Sequence, residues 1–135
     1  MLKCAVGQAE GLDGRLVVEQ VLAQCAQQLG SSVPQAAILF GSGRYDYAEV
    51  LAHIALRHPG LPLVGCSAGA DVTSTLGFCE DSLSLLLLSS DELGFSTGVI
   101  SPQHEAPAVT VARALATDAR RPSLCLIFPS GFTVD

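Results

Sequence analysis

The chain has 135 residues, enough for one domain that buries roughly 68–70% of its unfolded surface, and 49% of its residues are hydrophobic against 15% charged. Its net charge is −6, from 7 Lys+Arg and 13 Asp+Glu, and Arg120-Arg121 is the only adjacent basic pair; this excludes the cationic patch needed to hold a nucleic-acid backbone or an anionic membrane surface. No apolar run approaches the roughly 20 residues of a membrane-spanning helix, and the N-terminus reaches polar Gln8 and Glu10 without the apolar core of a signal peptide, so the chain reads as cytoplasmic with no membrane insertion.

Leu2–Val6 is a short first strand, followed by a glycine-containing loop from Gly7 to Gly14. Asp13 suits a helix N-cap, and the helix runs from about Arg15 to Leu29 with Val18, Val21, Leu22, Cys25, Ala26 and Leu29 on one apolar face before Gly30 stops it. Ala36–Phe40 is a continuous apolar run, the pattern of a strand buried on both faces. Asp46 then caps a second helix over Tyr47–Arg57, with Glu49 at the capping-box position and Pro59-Gly60 ending it. Leu61–Val64 is the next strand, and it feeds the turn Gly65-Cys66-Ser67-Ala68-Gly69.

Residues Asp71–Asp81 read as polar and irregular. Ser82–Leu88 is a strong strand, Ser89–Gly94 a turn, and Phe95–Ile100 a further strand, so these two should form an antiparallel hairpin. Pro102–Pro107 is a linker, Ala108–Ala119 an alanine-rich third helix with Val109, Ala112, Leu115 and Ala116 on one face, and Leu124–Phe128 the last strand. The expected order is βαβαβββαβ, an α/β fold with a mixed, partly parallel sheet, one antiparallel hairpin and flanking helices. The first three strands are expected to run parallel through right-handed crossovers. The closing Pro129-Ser-Gly-Phe-Thr-Val-Asp135 resembles the start of another αβ unit, so residues 1–135 read as the N-terminal part of a longer polypeptide.

Five cysteines, Cys4, Cys25, Cys66, Cys79 and Cys125, show no CxxC and no metal-ligand spacing. They read as reduced thiols, most of them small core hydrophobes, Cys125 in its apolar run above all. No metal and no cofactor is indicated.

Two glycine-bearing turns follow strands of the same sheet: Gly41-Ser42-Gly43-Arg44-Tyr45-Asp46 and Gly65-Cys66-Ser67-Ala68-Gly69. Ligands in open α/β sheets gather at the carboxyl ends of strands, where such turns present N–H groups and small polar side chains. Glycines there reach backbone angles closed to other residues. Arg44 offers a fork of donors suited to a carboxylate. The second turn also matches G-x-S-x-G, in which Ser67 would be a nucleophile. That reading needs a following helix and a partner histidine, whereas the next residues are Asp71-Val-Thr-Ser-Thr-Leu-Gly77 and the histidine downstream is His104. Cys66 as nucleophile needs a base that the spacing of His53 and His58 does not supply. Glu80-Asp81 reads as a solvated strand start.

Four segments carry a family resemblance: Ala37-Ile-Leu-Phe-Gly-Ser with Tyr45-Asp46; Leu63-Val-Gly-Cys-Ser-Ala-Gly69; Gly77-Phe-Cys-Glu-Asp-Ser-Leu-Ser-Leu-Leu-Leu-Leu; and Leu124-Cys-Leu-Ile-Phe-Pro-Ser-Gly131. In order and spacing the chain resembles the N-terminal FIST domain, a sensory domain of signalling proteins, over residues 34–135. The resemblance implies an intracellular input domain that binds a small ligand such as an amino acid and precedes a C-terminal companion domain. It implies no catalytic residues. Where the family turn often continues with glycine, this chain has Ala70.

The expected ligand-binding set is Ser42, Gly43, Arg44, Gly65, Cys66, Ser67 and Gly69, with Arg44 on a ligand carboxylate. The partners are a small molecule and a companion domain or signalling protein. Two alternatives remain: an acyl-transfer hydrolase using Ser67 or Cys66, and a non-catalytic structural or interaction half-domain.

Overall fold

The computed structural model describes residues 1–99, 109 and 123–128. The chain divides into two units, residues 1–94 and 95–135. All eight elements assigned among the described residues lie in the first: β1 (Leu2–Glu10), α1 (Gly14–Leu29), β2 (Ala36–Ser42), α2 (Tyr47–Arg57), β3 (Leu63–Ala68), β4 (Asp71–Thr73), β5 (Gly77–Cys79) and β6 (Ser82–Ser90). In the second unit, residues 95–99 and 124–128 form neither helix nor strand. No helix among the described residues is long and apolar enough to cross a membrane.

The two helices start where short-range chemistry places them. Asp13 accepts hydrogen bonds from the N–H groups of Arg15 and Leu16, and Asp46 from those of Ala48 and Glu49. Each carboxylate satisfies donors that the first helical turn leaves without partners. Gly30 ends α1 with positive φ and an N–H bond back to Ala26.

The main sheet has the order β1-β6-β2-β3. β2 and β3 are parallel, while β6 runs antiparallel to both β1 and β2. β1, β2 and β3 therefore point the same way, as expected, but β6 lies between the first two. The mixed α/β class stands. The position of β6 corrects the expected hairpin with Phe95–Ile100: β6 takes its partners from β1 and β2, residues 95–99 join no ladder, and Ile100 lies outside the described residues. The cause is hydrophobic: Leu83, Leu85 and Leu87 are at most 1% exposed, and a strand that apolar gains most at the centre of a sheet. Leu124–Phe128, expected as the last strand, joins no described ladder; an apolar run becomes a strand only when a neighbour takes its backbone hydrogen bonds. The expected third helix over 108–119 lies outside the described residues, Val109 excepted.

Both helices pack on one face of the sheet. Successive crossovers that advance in the same direction, β1 to β2 to β3, require this. Val17, Val18, Val21, Leu22, Cys25 and Leu29 of α1 and Val50 and Ile54 of α2 form one core with Ala5, Ala9, Ala37, Leu39, Leu83, Leu85 and Leu87. The first strand extends beyond its expected end at Val6 because Gly7 lets α1 press on it: a Cβ at Gly7 would stand 2.4 Å from the Val21 carbonyl oxygen.

The outer side of β1 is covered by side chains of α1. Gln28 and Gln24 each exchange two hydrogen bonds with the backbone, of Val6 and Gln8 respectively.

On the opposite face of the sheet lies a two-stranded hairpin, β4–β5, in the stretch expected to be irregular. Its sheet-facing residues are polar. Ser82 and Ser84 of β6 each donate a hydroxyl hydrogen bond to Asp71 Oδ2, at 3.1 and 3.2 Å, and Thr73 Oγ1 bonds Oε1 of the wholly buried Gln8. Hydrogen-bonded in this way, the Asp71, Ser82 and Ser84 side chains can be buried at little net cost, whereas Gln8 Nε2 is buried with no hydrogen-bond partner among the described residues.

Candidate functional site

β3 forms one edge of the sheet, and α2 lies beside it on the helix-bearing face. Between them is a cavity of about 260 Å³ lined by Leu39, Tyr47, Leu51, Leu63, Gly65, Cys66 and Ser67. By strand alternation Leu63, Gly65 and Ser67 face α2, and Cys66 faces the other side of the sheet while still bordering the space. Three consecutive residues singled out in the sequence thus border one cavity, and leucines supply most of its remaining wall.

Gly65 has a structural cause that differs from the expected one. Neither it nor Gly69 has positive φ; among the described residues the glycines that do are Gly11, Gly30, Gly60 and Gly77. The constraint is space. A Cβ on Gly65 would stand 1.8 Å from the carbonyl oxygen of Leu39, its register partner on β2. Gly43 and Gly69 meet nothing within 4 Å at the corresponding point; the expected turn over Gly65–Gly69 is instead strand as far as Ala68, because the chain keeps its pairing with β2 through Ser42.

Tyr47 joins the cavity to the first glycine-bearing turn. Its hydroxyl donates to the Ser42 carbonyl at 3.1 Å. Burial, reinforced by negative charge from Asp71, Tyr45 and Cys66, pushes its pKa up to about 12, so at neutral pH it remains a proton donor.

Ser42 and Arg44 are turned toward Asp81. The Ser42 hydroxyl donates to Asp81 Oδ1 at 3.3 Å, and Arg44 Nη1 to Asp81 Oδ2 at 3.1 Å. The Arg44 side chain is 73% exposed and that of Asp81 37%. Beneath them the Tyr45 hydroxyl stands 2.7 Å from the Gly11 carbonyl and 3.1 Å from that of Asp81. Burial first, then the charges of Asp81, Asp71 and Glu10, raise its pKa. Six of the seven expected residues therefore fall into two groups: Gly65, Cys66 and Ser67 at the cavity, and Ser42, Gly43 and Arg44 along the Asp81 side, with Tyr47 between them; Gly69 follows β3 and does not line the cavity.

The G-x-S-x-G elbow is not formed. Ser67 belongs to β3, and the chain continues into β4 where a nucleophile turn would open a helix. No non-glycine residue among those described has positive φ. His53 is on α2 and His58 caps its C-terminus, neither lining the cavity; His104 lies outside the described residues.

Among the cysteines, Cys25 and Cys79 are buried, while Cys4, Cys66 and Cys125 are exposed, so the expectation that most of them serve the core fails, and it fails for Cys125 in particular. Burial pushes the Cys25 thiol up to about 11. The Cys79 thiol is raised chiefly by its hydrogen bond to Glu10.

Sequence reasoning did not single out Tyr47 or Leu51 as site residues, and it read Asp81 as part of a solvated strand start rather than as the partner of Ser42 and Arg44. The two tyrosines flanking the Asp46 cap were the available signal, since a phenol next to a helix start is positioned by that cap.

Residues 35–135 match the family model described as the FIST N domain. No curated protein matches the chain.

Proposed function

The chain belongs to the FIST N domain family of sensory signal-transduction domains, and from that premise we propose that it is a cytoplasmic input domain whose ligand, an amino acid or similarly small carboxylate, occupies the cavity between β3 and α2. The observation that carries this reading is the convergence of Gly65, Cys66 and Ser67 with Tyr47 on one space of about 260 Å³. That volume lies just under the roughly 300–1,000 Å³ of drug-sized pockets, which favours a ligand of amino-acid size over a nucleotide. Leu39, Leu51 and Leu63 suit an apolar body, and the Ser67 hydroxyl suits its polar end. The ligand carboxylate takes the Arg44 guanidinium from Asp81. Exposed pairs of this kind contribute about 0–1 kcal/mol, so the exchange costs little. Ligand binding biases a companion domain or signalling partner through its differential affinity for two states.

A thermal-shift screen of amino acids and small carboxylates tests the proposal. A ligand at 100 times its Kd adds about 2.7 kcal/mol. The expected result is a selective rise in Tm that Leu51→Trp, which fills the cavity from the exposed side of α2, removes. No shift across the panel, or a shift that Leu51→Trp leaves intact, overturns the cavity as the ligand site.

A further inference from the structure

The β4–β5 hairpin presents its polar side to the protein and its apolar side to solvent. Asp71 and Cys79, opposite one another in the ladder, are 6% and 5% exposed, whereas the neighbouring cross-strand pair Val72 and Phe78 is 76% and 66% exposed. Side-chain alternation makes these two outcomes inseparable: whichever pair faces the sheet, the other faces away. The choice is made by the bonds of Asp71 to Ser82 and Ser84 and of Thr73 to Gln8. A shift of one residue would bury the valine and phenylalanine but leave two buried serine hydroxyls without their acceptor. A polar lock therefore holds a valine and a phenylalanine in water.

The apolar face does not end at the hairpin. Leu12, 79% exposed, shares with Phe78 a cleft of about 570 Å³ bordered by Glu10, Glu80 and Asp81. Asp81 is answered by Arg44. Among the described residues, no ion pair involves Glu10 or Glu80. The result is an exposed aromatic-aliphatic centre with a negative rim, on a chain of net charge −6.

From this juxtaposition we infer that the outer face of the hairpin, Val72 and Phe78 together with Leu12, is a docking surface for a protein segment that carries an aliphatic or aromatic side chain beside lysine or arginine. The apolar centre takes the side chain, and Glu10 and Glu80 take the cation. An aromatic anchor at the centre of a patch is where binding energy concentrates. The carboxylate rim sets the sign of the partner, speeds encounter, and is screened by salt. The same rim repels anionic lipid and nucleic acid. The inference uses no residue of the cavity between β3 and α2 and stands or falls apart from the ligand reading.

The test is fluorescence anisotropy with a labelled amphipathic leucine–lysine peptide as probe, alongside a leucine–glutamate peptide of the same pattern. The leucine–lysine peptide is expected to bind, to lose at least about tenfold in affinity in Phe78→Ser and in Glu80→Lys, and to weaken with added salt; the acidic peptide is expected not to bind. Phe78 and Glu80 are exposed, so both variants should keep the parent Tm, and Leu12→Ser reads the same face if Phe78→Ser does not. Equal binding of the acidic peptide, unchanged affinity in both Phe78→Ser and Leu12→Ser, or no binding of the basic peptide overturns the inference. A concentration-dependent dimer in sedimentation velocity that Phe78→Ser abolishes also overturns it, and gives the face to a second copy of the chain.

Discussion

Gln28 bonds both backbone groups of Val6: the Val6 N–H donates to Gln28 Oε1 at 3.0 Å, and Gln28 Nε2 donates to the Val6 carbonyl at 2.6 Å. One helical turn earlier Gln24 makes the same pair of bonds with Gln8, at 2.9 and 3.0 Å. A helix thereby stands where another strand would dock. β1 is an edge strand, and unpaired edge groups invite pairing with another chain. Replacing both glutamines, Gln24→Leu with Gln28→Leu, should cost about 1 kcal/mol for each bond lost, hence about 2 kcal/mol per residue. It should also produce concentration-dependent association. Urea denaturation and light scattering read the two effects separately, and an unchanged scattering profile would mean that the glutamines do not protect the edge.

Gly65→Ala and Gly69→Ala should differ sharply. The first drives a methyl group to 1.8 Å from the Leu39 carbonyl oxygen, which β2 and β3 can relieve only by separating; a loss of about 3 kcal/mol is expected. The second meets open space and should lie within about 0.5 kcal/mol of the parent. Chemical denaturation of the two variants side by side checks this.

Asp71→Ala should release the β4–β5 hairpin. It leaves the hydroxyls of Ser82 and Ser84 without their shared acceptor, at a cost of about 2 kcal/mol. Hydrogen exchange should quicken in residues 71–79 more than in α1. Uniform acceleration throughout the unit would instead mean that the hairpin and the main sheet open together.

Asp81→Asn should strengthen carboxylate binding if Arg44 is the ligand's partner, because the amide competes less well for the guanidinium. Calorimetric titration of the parent, Asp81→Asn and Arg44→Ala separates the cases. Equal affinities in all three would remove Arg44 from the ligand site and leave the cavity itself untouched.

Lowering the pH from 7 toward 5 should destabilise the fold through His58. Burial, followed by the charge of Arg57, holds its imidazole below the ordinary value. The neutral form is therefore favoured in the folded state. Stability is highest above the unfolded pKa of about 6.5 and falls as the pH drops through the folded pKa, because the unfolded chain takes up the proton first. His58→Gln should flatten this part of the Tm-against-pH curve.

Local signals carried far in the sequence, and long-range ones did not. Asp13 and Asp46 sit where helix caps must sit, and both structural caps are theirs. The Gly65-Cys66-Ser67 stretch was legible as a strand end of interest, but its cavity was not, since Tyr47 and Leu51 reach it only through the lie of α2 across β2 and β3. The β4–β5 hairpin was hidden for a different reason. Its inward residues are Asp71, Thr73 and Cys79, which read as loop until Ser82, Ser84 and Gln8 are known to lie beneath them. Leu85–Leu88 announced a buried strand, yet nothing local distinguishes pairing with the residues that follow from pairing with β1.

The central place of β6 has a consequence for how the chain reaches this state. β1 has no strand partner but β6 among the described ladders, and their register joins residues as distant as Leu2 and Ser90. Before Ser82–Ser90 is in place, β1 and the contiguous segment of β2, α2 and β3 share no ladder. Only when Ser82–Ser90 inserts between them do the two parts become one sheet. Topologies dominated by such distant pairings fold slowly and leave apolar surface uncovered in the interval. Here that surface is the floor on which Leu83, Leu85 and Leu87 come to rest, so polar substitution at any of the three should be felt first as lost soluble yield during synthesis.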